Sequence, residues 1–485
     1  MDRSASIFGN PVPENVQRKA LKSQKKYIQK FGDDRTVAYH LALKDNSVVG
    51  PALGVREFVL ADAPLPDLPA RPLVVGNIRM GFGHYRISMA IASAAHALGY
   101  TPLWLDFNSF SATTAGKIIA HQNDLYSLGS RWSQKYALFN HFVWEPMNSE
   151  GFRKLSYNAV DQKNAELLTP VLGDLPRDIP YVATHVWPAQ AAMHAGFTHV
   201  VNAVPDNWPM ALHLAEGAVH TVQTQSAYVG YRALRGMQKG TSLVPMPADS
   251  LFYTGHYVDD ELVRGIESDC AARMARAKKG EPRRYLMTVG GAGAQKDIFI
   301  AIVRLLLPEI RKGRAALFVN VGDHRNVWQE LRAAVPEMAP VCTEHFDDFA
   351  ESSAFAQRSL TEAVSGVHAF CDRDIFAAVY NTNLLMRASD VLVTKPSELS
   401  FYPVPKLFIH RVGGHEAWGA IRSAEVGDGT YECDTMEDVQ SAVRLYQQDD
   451  TLLAFQCQQI LAAKQAGIYD GAYLVVRLAA GEAGV

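Results

Sequence analysis

A chain of 485 residues with 48% hydrophobic and 20% charged side chains is too long for one ordinary core and reads as a globular protein of two or three domains. The formal net charge of −3 excludes a generally basic nucleic-acid binder, and no run of about 18 apolar residues is present to cross a membrane. Five scattered cysteines (Cys270, Cys342, Cys371, Cys433, Cys457) show neither CxxC nor Cys/His metal spacing. They read as reduced thiols of a cytoplasmic protein, and the N-terminus lacks the apolar core of a signal peptide.

Residues 1–66 read as an N-terminal extension. Within it Glu14–Phe31 predicts a basic amphipathic helix, with Val16, Ala20, Leu21, Tyr27, Ile28 and Phe31 on one side. Such a helix either docks on an anionic membrane surface or packs on its own protein with a solvated basic face. The first core domain is expected at 67–270. Leu73–Val75 predicts a buried strand, Gly81-Phe82-Gly83-His84 a glycine turn, the alanine-rich stretch up to Gly99 a helix, and Pro102–Phe107 a second strand ending in an acid. This is one βαβ unit with a phosphate-binding type of turn and a histidine where the helix begins. A turn of this kind also serves as a plain strand-to-helix connection.

Residues 111–170 read as mostly helical, with an aromatic stripe of core type. Strands resume at Tyr181–Ala183, Thr198–Val204 and Ala218–Gln223, around a helical stretch at Ala189–Ala195. The charged stretch 270–284 reads as the linker. A second domain, 280–445, opens as the first did: strand Tyr285–Val289, glycine turn Gly290-Gly291-Ala292-Gly293, helix Lys296–Ile310 and strand Ala315–Val321. A strand follows at Lys406–Ile409, and the last residues, 446–485, read as helices. The fold class is therefore α/β, two Rossmann-like domains facing across a cleft, with ligands at the carboxyl ends of the strands.

Six segments in order resemble one group of two-domain GT-B glycosyltransferases, which includes the peptidoglycan N-acetylglucosaminyltransferase and the diacylglycerol glycosyltransferases. Gly81-Phe82-Gly83-His84 resembles their GxGH turn. Val204-Pro205-Asp206-Asn207 with His213 is similar to a Thr-Asp segment followed by His, and Thr254-Gly255-His256-Tyr257 to their TGxP. Thr288–Gly293 with Lys296-Asp297 resembles the first turn of their donor domain. Ala388–Pro396 is close to AADxxITKPG, and Gly414-His415-Glu416 stands where they carry Gly-Gln-Glu. Two departures lie in donor recognition: Ser397-Glu398 replaces a glycine pair and a longer helix, and His415 replaces a glutamine.

The resemblance implies inverting transfer of a sugar from a nucleotide-sugar, UDP-linked in the usual case, to a lipid or other small hydroxyl acceptor. His84 or Asp206 would be the base, with His213 at the acceptor. Gly81, Gly83, Gly290, Gly291, Gly293, Thr394, Lys395, Ser397, Glu398, His415 and Glu416 would meet the donor. No metal or other cofactor is implied, since helix dipoles and basic groups usually replace the metal in this fold. Asp372-Arg373-Asp374 is set aside as a metal-binding DxD because it does not read as the end of a strand.

Each residue also has a plain structural use. His84 can satisfy local backbone groups, Asp206 can serve a Pro-Asp-Asn turn, Lys395 can be a surface lysine, Glu398 can stabilise a helix start, and His415-Glu416 can be a loop pair. Two further readings therefore stand beside transfer: a sugar-nucleotide epimerase or hydrolase, and a non-catalytic nucleotide-binding scaffold. Localisation is expected in the cytoplasm, peripheral at the inner face of the membrane if the acceptor is a lipid. The sequence leaves the donor base, acceptor and oligomeric state open.

Overall fold

The strand–turn–helix–strand pattern of residues 72–106 forms the centre of the first of two α/β units. The computed structural model describes residues 2–290 and 295–482. The first unit takes the residues up to Asp259, Gly413–His415 and those from Asp470; the second takes Asp260–Val412 and Glu416–Tyr469.

The first unit has strands β1 (His40–Asp45), β2 (Arg56–Ala61), β3 (Pro72–Asn77), β4 (Thr101–Asp106), β5 (Tyr181–Ala183), β6 (Val200–Ala203), β7 (Val219–Val222) and β8 (Leu251–Tyr253). Their order in one sheet is β8-β7-β6-β5-β3-β4-β2-β1, parallel throughout except for β1 on β2. Leu73, Val74 and Val75 on β3 are fully buried, as a strand covered on both faces requires. The helices that matter here are α1 (Glu14–Phe31), α2 (Gly83–Ala97), α3 (Thr114–Lys135), α4 (Leu155–Ala165) and α5 (Val186–His194). On α2 every residue from Tyr85 to Ala95 is buried, which its small side chains allow. Gly76 is obligatory: a Cβ there would lie 2.3 Å from the Tyr181 hydroxyl oxygen.

The second unit opens with α6 (Asp260–Lys278) and contains β9 (Arg283–Thr288), α7 (Lys296–Arg311), β10 (Ala315–Asn320), β11 (Cys342–Phe346), β12 (Gly366–Cys371), α8 (Ile375–Ala388), β13 (Val391–Thr394), β14 (Lys406–Ile409), α9 (Ala417–Val426), β15 (Gly429–Cys433) and α10 (Thr451–Gln465). Its sheet is wholly parallel, in the order β11-β12-β10-β9-β13-β14-β15. A last helix, α11 (Gly471–Ala479), belongs to the first unit, where the Gly471 N–H donates to the His256 carbonyl at 3.0 Å. Both units are thus Rossmann-like α/β layers.

Four expectations need correction. Residues 1–66 are not an extension, because β1 and β2 prolong the sheet. Helix α1, by contrast, follows the second of its two readings: it buries Val16, Ala20 and Gln24, sets Tyr27, Ile28 and Phe31 against the core, leaves Leu21 exposed, and presents its lysines as a solvated face. The supposed linker runs through α6. Its arginines are internal: Arg276 pairs with Asp390 at 2.7 Å, and Arg273 donates to the Ser389 and Met386 carbonyls at 2.9 and 3.0 Å. The C-terminal helices divide between the two units. Finally, Asp372-Arg373-Asp374 does follow a strand, β12, but Asp374 caps α8 and the Asp372 carboxylate accepts the Asp374 N–H at 2.9 Å. No helix of the described residues is long and apolar enough to cross a membrane.

Candidate active site

In the first unit the chemistry collects where β3, β5 and β6 end. After β3 the chain turns through Gly81, whose φ of +77° suits glycine and around which the space for a Cβ is open. Gly83 opens α2 and places His84 in its first turn. The His84 Nδ1 lies 2.7 Å from the Thr184 carbonyl oxygen, at the end of β5. A carbonyl can only accept, so Nδ1 carries a proton, and when the ring is neutral Nε2 holds the lone pair. The Ser88 hydroxyl, 2.7 Å from that of Thr184, adds a second tie between α2 and the same strand end.

Beyond β6, Asp206 lies 3.0 Å from His213 Nε2. Asn202 holds the His213 carbonyl at 2.7 Å, and Asn158 holds those of Ala211 and Leu214 at the same distance. His213 is nearly buried while Asp206 is about one-third exposed. His84 and the Asp206–His213 pair thus both follow parallel strands of the first sheet, β3 and β6.

A third histidine stands between them, and sequence reasoning missed it. His185 follows β5, is 4% exposed, and meets the His84 ring edge-on at 4.7 Å between centroids. Burial, reinforced by repulsion from His84 and His213, holds its pKa well below the usual histidine range, so the ring is neutral at pH 7. Its signal was available in the sequence: Thr184-His185 directly follows a short buried strand. The acid ending β4 goes the other way. Asp106 is buried, takes the Tyr85 hydroxyl and the Asn108 N–H (2.9 Å), and is pushed up to about 6 by burial.

Behind His185, Trp187 Nε1–H donates to the buried Asp161 at 3.1 Å. Burial pushes Asp161 up to about 7 against the pull of that hydrogen bond. A carboxyl raised on folding stabilises the folded state fully at low pH, and that contribution is lost as pH rises through the folded value. Asp161→Asn keeps an acceptor for Trp187, so it is expected to raise the urea midpoint more at about pH 8 than at about pH 5. Equal shifts at both pH values would show that Asp161 is not held protonated.

In the second unit the ends of β9 and β13 come together. Gly290 ends the β9 segment, and a Cβ there would lie 3.3 Å from the Lys395 Cε, so the lysine stem crosses that glycine. Lys395 pairs with Glu416, whose other oxygen accepts the Val412 N–H at 2.8 Å. Thr394 is buried with its hydroxyl 3.3 Å from that of Thr288, which makes it a tie between strands. Ser397 is half-exposed and donates its N–H to the Lys395 carbonyl at 2.8 Å; Glu398, half-buried, opens a short turn to Phe401. Gly291 and Gly293 lie outside the described residues, as does the side chain of His415, whose backbone is in the turn Gly414–Glu416. Among the described residues, His410, Glu432 and Asp434 bring metal-type ligand atoms within 4.8 Å of one another. These groups already serve an ion network, with Glu432 on the Arg411 guanidinium at 2.5 Å and Asp434 on His410 at 3.0 Å.

Residues 6–233 match the family model described as Domain of unknown function (DUF6937), and residues 246–480 the one described as Domain of unknown function (DUF6938). No curated protein matches the chain. Among solved structures, the chain is similar to a UDP-GlcNAc 2-epimerase from Neisseria meningitidis bound to UDP-GlcNAc (12% identity, TM-score 0.43, covering 84% of this chain and 100% of that one). It is also similar to an alpha,alpha-trehalose 6-phosphate synthase from Burkholderia multivorans (14% identity, TM-score 0.43, covering 86% and 100%). A third is a structure described as a putative UDP-N-acetylglucosamine 2-epimerase from Listeria monocytogenes (12% identity, TM-score 0.44, covering 84% and 94%).

Proposed function

We propose that the protein is an inverting glycosyltransferase that moves a sugar from a nucleotide-sugar to a hydroxyl acceptor. The observation that carries this reading is the tautomer of His84: with Nδ1–H given to the Thr184 carbonyl, Nε2 is a base aimed away from the strand end. The acceptor hydroxyl proton goes to His84 Nε2 as its oxygen bonds to the anomeric carbon, and the bond from that carbon to the diphosphate breaks. Asp206 orients His213 beside the acceptor. In the second unit, Gly290 and the start of α7 favour the diphosphate, and Lys395 neutralises the charge that collects on it. The sequence resemblance adds the UDP form of the donor and a reaction without metal.

A second reading, nucleotide binding without transfer, is favoured by the Lys395–Glu416 pair, because a lysine already neutralised has less to gain from a diphosphate. A thermal-shift screen of UDP, GDP, dTDP and ADP with their sugar conjugates tests both. One nucleotide is expected to raise the melting temperature selectively, by mass action on the folded state. Lys395→Ala is expected to weaken that nucleotide by about tenfold or more, since one charge-assisted hydrogen bond contributes ~1.5–3 kcal/mol. No shift with any of them would remove the transferase reading. A selective shift with no turnover of the conjugate would leave the scaffold.

A further inference from the structure

Two of the five cysteines meet inside the second unit. Cys270 lies on α6 and Cys457 on α10, both buried and both free thiols. Cys270 Sγ is 3.8 Å from the Cys457 carbonyl oxygen, and the two thiols share a hydrogen bond. A second tie joins the same helices: Glu267, one turn before Cys270, pairs with Lys464, two turns beyond Cys457. Neither thiol belongs to the site already described.

The charge beside the pair singles out one sulfur. Arg273, one turn after Cys270, is fully buried and donates to the Ser389 and Met386 carbonyls; its Nη1 donates to Cys270 Sγ at 3.8 Å. Among the described residues no carboxylate forms an ion pair with it, since Asp390 is taken by Arg276 and Asp269 by Arg387. A buried cation without an anion is costly, and a Cys270 thiolate is the group placed to supply one. The Cys457 hydrogen bond and the Arg273 charge hold the Cys270 thiol below the usual cysteine range against the effect of burial, while Cys457 is driven up by giving its proton to that bond and by burial. Burial pushes each of Cys342, Cys371 and Cys433 up to about 11.

We infer that Cys270 and Cys457 form an oxidation site, at which hydrogen peroxide converts the two thiols into a disulfide between α6 and α10. The Cys270 thiolate attacks one peroxide oxygen: an S–O bond forms, the O–O bond breaks and hydroxide leaves. The Cys457 sulfur then attacks the sulfenic sulfur of Cys270. The S–S bond forms, the S–O bond breaks, and the hydroxyl departs as water with the Cys457 proton. One peroxide is reduced for each disulfide made. The bond joins positions 187 residues apart, and all seven strands of the second sheet lie between them. Helix α6 opens the second unit at Asp260 and α10 precedes its end at Tyr469, so oxidation staples that unit across its own ends and restricts its unfolded chain. The site rests on the second unit alone and is independent of the transferase reading.

The test treats the folded full-length protein with equimolar hydrogen peroxide, then unfolds it, alkylates the remaining thiols and maps them by mass spectrometry. A Cys270–Cys457 linked peptide that dithiothreitol removes is expected, formed about tenfold or more faster than any oxidation of the less buried Cys342, because the thiolate is the nucleophile. Cys457→Ala is expected to stop at the Cys270 sulfenic acid, captured by unfolding the protein into dimedone, and Cys270→Ala to leave Cys457 reduced. If either variant fails to fold, the wild-type map alone decides. Oxidation of Cys342 ahead of Cys270, absence of the linked peptide, or its formation only in urea would each overturn the site.

Discussion

Lys406→Met is expected to lower the unfolding free energy of the second unit by about 3–5 kcal/mol, the usual result of breaking a buried ion pair from one side. Lys406 opens β14 with its side chain fully buried, 2.8 Å from Asp428, and it donates to the Tyr402 and Val404 carbonyls at 2.8 and 3.0 Å. Asp428 is equally buried and also takes the hydroxyls of Ser423 and, at 2.9 Å, Tyr469. Burial pulls the lysine below its ordinary range, with the Asp428 charge acting against that pull. Removing the ammonium strands a carboxylate and two carbonyls in a dry interior. The double variant Lys406→Met with Asp428→Leu is expected to recover much of the loss, because apolar replacements remove both charges together. It stays below the wild type, since Tyr469 and Ser423 lose their acceptor. Urea titrations at one pH measure all three proteins. A single variant costing less than about 1 kcal/mol would mean that water reaches the pair.

The two parallel-sheet units were legible because buried strands announce themselves as short apolar runs. Leu73–Val75 and Tyr285–Val289 needed nothing from the rest of the chain to be recognised. The edges of the units were not legible, and the reason is charge. Arg273 and Arg276 read as solvated linker residues, yet each guanidinium is satisfied internally by Asp390 or by backbone carbonyls ending near α8. A composition window sees the cations and not their partners. Helix α1 took the second of its two readings, because its apolar residues found a surface within the unit and its basic face stayed in solvent.

At the site, the glycine turn pointed to His84, and the family-like segments Val204–Asn207 and Ala388–Pro396 pointed to Asp206 and Lys395. His185 follows no glycine and no acid; its one signal is the short buried strand before it, and the register of β5 beside β3 then brings it to His84. Several motif residues proved structural instead. Asp390 in the segment before Lys395 is consumed by Arg276, and Gly255 lies so close to Gly471 that a Cβ on the latter would come within 2.3 Å of its carbonyl oxygen. A short motif carries fold and chemistry in the same letters, and pairing decides which letter does which.

His84→Gln is expected to reduce kcat by about 10²–10⁴, the range that general-base removal usually spans, with the nucleotide-induced thermal shift unchanged. The split follows from geometry. His84 belongs to the first unit and is held by Thr184, while Gly290, Lys395 and Glu416 lie in the second. Transfer from the conjugate selected by the nucleotide screen supplies the assay, with water as the acceptor of last resort. Asp206→Asn separates the two candidate bases. If His84 takes the proton, Asp206→Asn disturbs only the orientation of His213, costs less than His84→Gln, and leaves the acid limb of the pH–rate profile where the wild type has it. If Asp206 takes it, the larger loss moves to Asp206→Asn, and the histidine limb survives in neither its position nor its slope. The ratio of the two losses, read beside an unchanged nucleotide shift, assigns the proton.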